Sequence, residues 1–237
     1  IDECGRLWVL DSGNIKEQQI CPPQILLFDP HTGQLLSRFK IPLDQLNCNS
    51  LLITPAVDVR DPQGQCADTF IYIADVTGFQ LIVYDHKHKR SWNIGNNLFF
   101  PYPPYGTFNI AGQSFDLMDG LFGLALGPLQ RNGDRTLYFH SLASVVESQV
   151  PTSVIRNYET FRDDSEAMPR AFQAFALTRP SQAAAQAMDK NGILFYGLAS
   201  EIALGCWNSR DYSQFGGHNL DIVVVNRETL QFASGLK

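Results

Sequence analysis

Nothing in the 237-residue sequence stays apolar for the roughly 18–20 residues that a membrane-crossing helix needs. Basic residues are also in deficit. Eighteen Lys and Arg face 24 Asp and Glu, leaving a net charge of −6. Such a balance argues against nucleic acid or an anionic membrane surface as partner. The five cysteines form no CxxC and no Cys/His spacing of the zinc type, so no metal is expected. A P-loop, a GxSxG elbow, an HExxH helix and a GxGxxG beside a helix are all missing, and no cofactor is expected. The glycines of "GLFGLALG" (120–127) lie in a strand context. Helical periodicity is nearly absent too. Its one candidate, "SQAAAQAM" (181–188), predicts a short helical turn.

What the chain does have is short strands rich in β-branched and aromatic residues, bounded by Gly, Pro, Asp and Asn. "LWVLDSG" (7–13), "QILLFD" (24–29) and "QLLSRFKI" (34–41) are matched by "IYIADVTG" (71–78), "QLIVYD" (80–85) and "RSWNI" (90–94). The first strand recurs as "LYFHSLAS" (137–144) and "LFYGLAS" (194–200), with starts at 7, 71, 137 and 194. "DIVVVNRETLQFAS" (221–234) repeats the second-turn-third pattern. Further apolar runs, "SLLITPAVDV" (50–59) and "GLFGLALGP" (120–128), precede new units. About four copies of a four-stranded antiparallel unit predict an all-β β-propeller, in which radial packing protects strand edges. The chain opens on Ile1 and closes inside a strand pattern. It is therefore expected to be one partial propeller domain over 1–237, with blades missing at both ends.

The first strand of each unit is expected beside a central channel. This makes Asp11 and Asp75 candidates at one mouth of it, each followed by Ser/Thr and Gly. Thr77 joins Asp75 in "ADVTG", where an Asp-turn with Gly78 at positive φ is the competing reading. Asp29 and Asp85 end second strands and read as turn formers. His140 stands at the matching place in "LYFHS" with Ser141 behind it. It is the candidate proton shuttle, against a reading as a buried, satisfied imidazole. Tyr196 and Ser200 are the equivalents one unit on, able to stack on or bond an aromatic ligand, or simply core. His86 and His88 in "DHKHKRSW" are flanked by cations that repel a metal ion, so they read as a solvated hairpin tip. The loop 96–112 carries Phe99, Phe100, Tyr102, Tyr105 and Phe108 with Pro101, Pro103 and Pro104. A loop this apolar packs on the sheets, covers a ligand or meets a partner. Cys4, Cys21, Cys48, Cys66 and Cys206 suggest two disulfides and an odd thiol in an oxidising compartment, with the pairing open.

"DECGRLWVLDSG", "TPAVDVRDP", "CADTFIYIADVTGFQLIVYD", "VPTSVIRN" and "LFYGLASEIALGCWN" resemble the yellow/major royal jelly protein family of insects across essentially the whole chain. The stretch 92–128 is similar to its yellow branch. The resemblance implies a secreted protein and six blades in the full propeller. It also implies a role in cuticle melanin patterning, with catechol-derived quinones, small aromatic amines or cuticle matrix as partners. Two alternatives come with it, a dopachrome-converting tautomerase and a salivary-type amine binder.

Overall fold

The computed structural model describes residues 1–16 and 18–236. The first sheet contains β1 (Leu7–Asp11), β4 (Gln24–Phe28) and β5 (Leu35–Lys40), with a small hairpin of β2 (Asn14–Ile15) and β3 (Gln18–Gln19) beside it. The second runs β6 (Leu52–Val59), β7 (Thr69–Asp75), β8 (Gln80–Asp85) and β9 (Arg90–Gly95). After a hairpin of β10 (Thr107–Ile110) and β11 (Gln113–Asp116) comes the third: β12 (Leu121–Leu126), β13 (Thr136–Ser141), β14 (Val146–Pro151) and β15 (Gln173–Thr178). The fourth is β16 (Ala183–Met188), β17 (Ile193–Leu198), β18 (Ala203–Asn208) and β19 (Leu220–Val225). In every sheet the strands pair antiparallel in chain order. β12 packs against β6 on one side and β16 on the other, and β1 lies against β6. Successive sheets thus stand side by side as blades of a β-propeller.

Because the second and third sheets each have a neighbour on both faces, their middle strands are buried on both. In β7, Phe70, Tyr72 and Ala74 face the third sheet with Trp92, Phe139 and Phe172, while Ile71 and Ile73 face the first with Ile25 and Tyr84. Tyr138, Phe175, Tyr196, Trp207 and Phe215 fill the layer between the third and fourth sheets. This explains continuous apolar runs such as "FIYIA" in place of simple alternation.

The innermost strands are not those expected. The runs starting at 71, 137 and 194 occupy the second position of their sheets, the run at 7 comes first in a three-stranded sheet, and β6, β12 and β16 are the ones that converge. Each of these three carries a register irregularity near its start: Ile53/Pro55, Leu121/Gly123 and Ala183/Gln186. In β6 the irregularity brings Pro55, which cannot donate to a ladder, into the strand. The Ala-rich segment expected to be helical is strand β16. Ala183, Ala184 and Ala185 are buried between β12 and β17, where only small side chains fit, and packing overrides helix propensity.

One disulfide joins Cys4 to Cys66, closing a loop of 62 residues. The expected second bridge is absent among the described residues: Cys21, Cys48 and Cys206 are free thiols. No helix of the described residues is long and apolar enough to cross a membrane.

Candidate functional site

The carboxylates Asp75 and Asp85, which end β7 and β8, turn inward. Asp75 is fully buried and accepts from the Ser50 hydroxyl at 2.5 Å and from Leu51 N–H, Gly78 N–H and Gln80 Nε2 at 2.9 Å. Four donors leave it no free edge for a ligand. Gly78 is required here for space, since a Cβ would meet Asp75 Oδ2 at 2.0 Å, and the positive φ falls on Phe79 instead. Thr77 spends its hydroxyl on the Asn49 carbonyl. Asp11 accepts from Gln24 Nε2 at 2.7 Å and Gly13 N–H at 2.9 Å, in that order of importance for a carboxyl held below its ordinary range.

The pairing register revises one equivalence. Leu52 faces Asp75 and Leu121 faces Ser141, so Ser141 rather than His140 holds the Asp75 position. Ser141 donates to the Leu98 carbonyl at 3.2 Å. Tyr196 is fully buried, with its hydroxyl 3.5 Å from the Cys206 carbonyl. Ser200 is exposed and lines a separate cavity with Asn109, Gly112 and Arg227.

His140 points between the third and fourth sheets, 1% exposed. Its Nδ1 lies 3.0 Å from Glu147 Oε2 and 3.1 Å from Gln186 Oε1. Its Nε2 lies 3.0 Å from the carbonyls of Ala183 and Ala184, which the β16 irregularity turns toward it. All four neighbours are acceptors, so the ring is fully satisfied only when both nitrogens carry protons. Glu147 also pairs with the Arg179 guanidinium and accepts from Gln186 Nε2 at 3.2 Å. Burial alone would raise the Glu147 carboxyl, but His140, Arg179 and Gln186 together hold it below its usual range. Gly123 leaves room for the ring: a Cβ there would sit 2.3 Å from His140 Cε1. With no open edge, His140 here ties two blades together and has no face toward a substrate. Composition hid this cluster, because Glu147 and Arg179 read as single charges in apolar runs 32 residues apart.

Strand alternation sends Val146 and Ser148 to the opposite face of β14 from Glu147, and there they wall a groove. The loop 96–106 forms the other wall. It is pinned by Phe99, which lies edge-on to Phe139 and Phe172 at 5.2 and 5.6 Å, and by Tyr102 N–H bonding the Ala143 carbonyl. Farther along, Phe108 packs on Leu142, Ala184 and Ala199. Between the pins, Phe100 and Tyr102 remain half exposed. Tyr102 stacks on Tyr105 with ring centroids 5.8 Å apart. The half-open cavity between the walls measures about 410 Å³ and carries Asn97, Ser144 and Thr178 as polar points. It shares Asn97, Leu98 and Ala174 with a second cavity of about 330 Å³ that Glu166 lines. Among the described residues no group of His, Cys, Asp and Glu could hold a metal ion.

The family model described as "Major royal jelly protein" matches residues 1–237. The chain belongs to the major royal jelly protein family. Major royal jelly protein 8 of Apis mellifera is 37% identical over the whole chain, which covers 55% of that protein. Dopaminechrome tautomerase of Drosophila melanogaster is 30% identical, with 100% of this chain and 52% of that protein covered. Protein yellow of Drosophila melanogaster is 36% identical over 88% of this chain and 39% of its own length. The chain thus spans about half the length, or less, of these relatives. Among solved structures, virginiamycin B lyase from Staphylococcus aureus gives a TM-score of 0.46 at 11% identity, covering 97% of this chain and 55% of its own. Likeness that loose says nothing about the royal jelly family's site.

Proposed function

We propose that this chain is part of a secreted yellow-type protein of insect pigmentation that binds a planar, catechol-derived ring. The site is the groove between the aromatic loop and β14–β15. One observation carries the reading: Tyr102 and Tyr105 stack beside a cavity of about 410 Å³ with a mainly apolar lining and a few polar points. A fused bicyclic quinone or an aromatic amine of that size fits such a space, and flat rings pack favourably on aromatic walls. Glu166 in the adjoining cavity supplies a carboxylate for an amine. The relatives named protein yellow support the pigment context.

Calorimetry of the full chain with dopamine and with dopachrome tests this. Saturable heat that Tyr102→Ala weakens by tenfold or more, about 1.4 kcal/mol, is the expected result. Heat equal to dilution for both compounds, or affinity indifferent to the substitution, would eliminate the groove. A second reading, tautomerisation of the bound quinone, has the relative named dopaminechrome tautomerase in its favour. Loss of dopachrome absorbance no faster than in buffer would remove it.

A further inference from the structure

The turn between β8 and β9 holds an amine in an unusual setting. Lys89 Nζ lies 3.0 Å from His86 Nδ1 and 3.1 Å from the Ser37 hydroxyl oxygen. Lys89 takes a left-handed backbone (φ 51°), which a side-chain-bearing residue adopts at a cost and which folds it back over the turn. The His86 ring is itself fixed, edge-on to Trp8 at 5.0 Å and facing the Tyr84 hydroxyl at 3.4 Å. Lysine and tyrosine both offer protons to Nδ1, so that nitrogen carries a lone pair.

The carboxylates that would normally hold a lysine in its ammonium form are committed elsewhere. Asp85 is taken by His88 at 2.6 Å and Arg90 at 3.2 Å, and Asp2 by Arg6 at 2.7 Å. Burial, Lys89 and Arg6 drive His86 down to about 4, so at neutral pH it accepts a hydrogen bond without contributing charge. Burial first, and Arg6 second, lower Lys89 below the ordinary lysine value. The neighbours of the amine are thus two neutral acceptors and a cation. Lys87, two residues away on the same exposed turn, is in none of these contacts.

We propose that Lys89 is a nucleophilic amine that condenses with carbonyl compounds, oriented by His86 and Ser37. The nitrogen lone pair attacks the carbonyl carbon. The proton shed by nitrogen moves to the former carbonyl oxygen, giving a carbinolamine. Loss of water then leaves an imine, and no oxidant or reductant is consumed. Ligand chemistry is therefore that of an aldehyde. The site is independent of the groove and of the pigment reading.

The probe is benzaldehyde with cyanoborohydride to trap the imine, applied to the full chain and read by peptide fragmentation. Lys89 should acquire the benzyl group several-fold faster than Lys87 and Lys190 at pH 7. His86→Asp would place a negative charge beside the amine, and should move the labelling midpoint of Lys89 to higher pH while leaving Lys87 unmoved. The comparison within the unmutated chain needs no variant to fold. Equal rates at Lys89 and Lys87, or a Lys89 midpoint that ignores the substitution, overturns the proposal.

Discussion

His140 Nδ1 and Glu147 Oε2 lie 3.0 Å apart in a compartment sealed between two blades, with neither side chain touching solvent. Arg179, also buried, completes the group from the end of β15. Desolvating charges is costly, and matched donors and acceptors offset it; Arg179 Nε is left without a partner, while the other polar groups of the cluster are matched. Here the match crosses the blade boundary, through Gln186 and the Ala183 and Ala184 carbonyls.

Glu147→Gln should therefore be severe. It leaves the buried Arg179 guanidinium without its counter-charge, and breaking a buried pair costs about 3–5 kcal/mol. Urea denaturation at neutral pH measures it, and a loss under about 1 kcal/mol would contradict the charge assignment.

The same residue sets an acid limit. Folding lowers the Glu147 carboxyl below its unfolded value of 4.5. Its stabilisation is complete above that value and disappears as pH falls through the folded one. Denaturation midpoints followed downward from pH 5 should drop more steeply for the unmutated chain than for Glu147→Gln. Parallel slopes would count against the linkage.

Gly123→Ala tests the fit of the imidazole. The added Cβ would overlap His140 Cε1, and overpacking of a core costs about 1–3 kcal/mol. Gly133→Ala is not a fair control, since φ there is positive, whereas Gly64 has only the Asp61 turn nearby and should lose far less. Equal losses at 123 and 64 would speak against the close approach.

Asp75→Ala removes the acceptor of four hydrogen bonds, two of them from the backbone N–H groups of Leu51 and Gly78. Buried donors left unpaired cost about 1–3 kcal/mol each, so a fall of at least about 2 kcal/mol in stability is expected. Groove binding measured well below the new melting point should stay within twofold of the unmutated chain. A loss of binding without a loss of stability would return Asp75 to the ligand site.

Reduction of the native protein should add two hydrogens by intact mass, corresponding to the one bridge Cys4–Cys66. Replacing both cysteines by Ser should cost about 4 kcal/mol, the chain-entropy value for a loop of 62 residues. A gain of four hydrogens would show that two of the three remaining thiols also pair.

Strand type, antiparallel order and repetition were all readable from residues, because short β-branched runs between turn formers leave few alternatives. "FIYIA" and "QLIVY" announce strands buried on both faces. Which strand stood innermost was not readable. The inner strands β6, β12 and β16 are interrupted by bulges and small residues, so they present weaker patterns than their neighbours and were assigned to connections or, at 181–188, to a helix. The apolar loop was visible by composition. The tyrosine stack that gives it a use depends on pins at Phe99 and Phe108, whose partners lie elsewhere in the chain.

Composition and spacing by themselves determined that this chain would build repeated antiparallel sheets packed face to face, since period and turn chemistry act over a few residues. Tertiary structure alone decided which polar groups would face outward. Asp75 and His140 share the look of channel residues, yet the register of their strands and the proximity of Gln80, Glu147 and Gln186 turn both into internal ties. A side chain's role follows from the groups that surround it in space, and those were drawn from three separate strands, β8, β14 and β16, the last of them in the next blade.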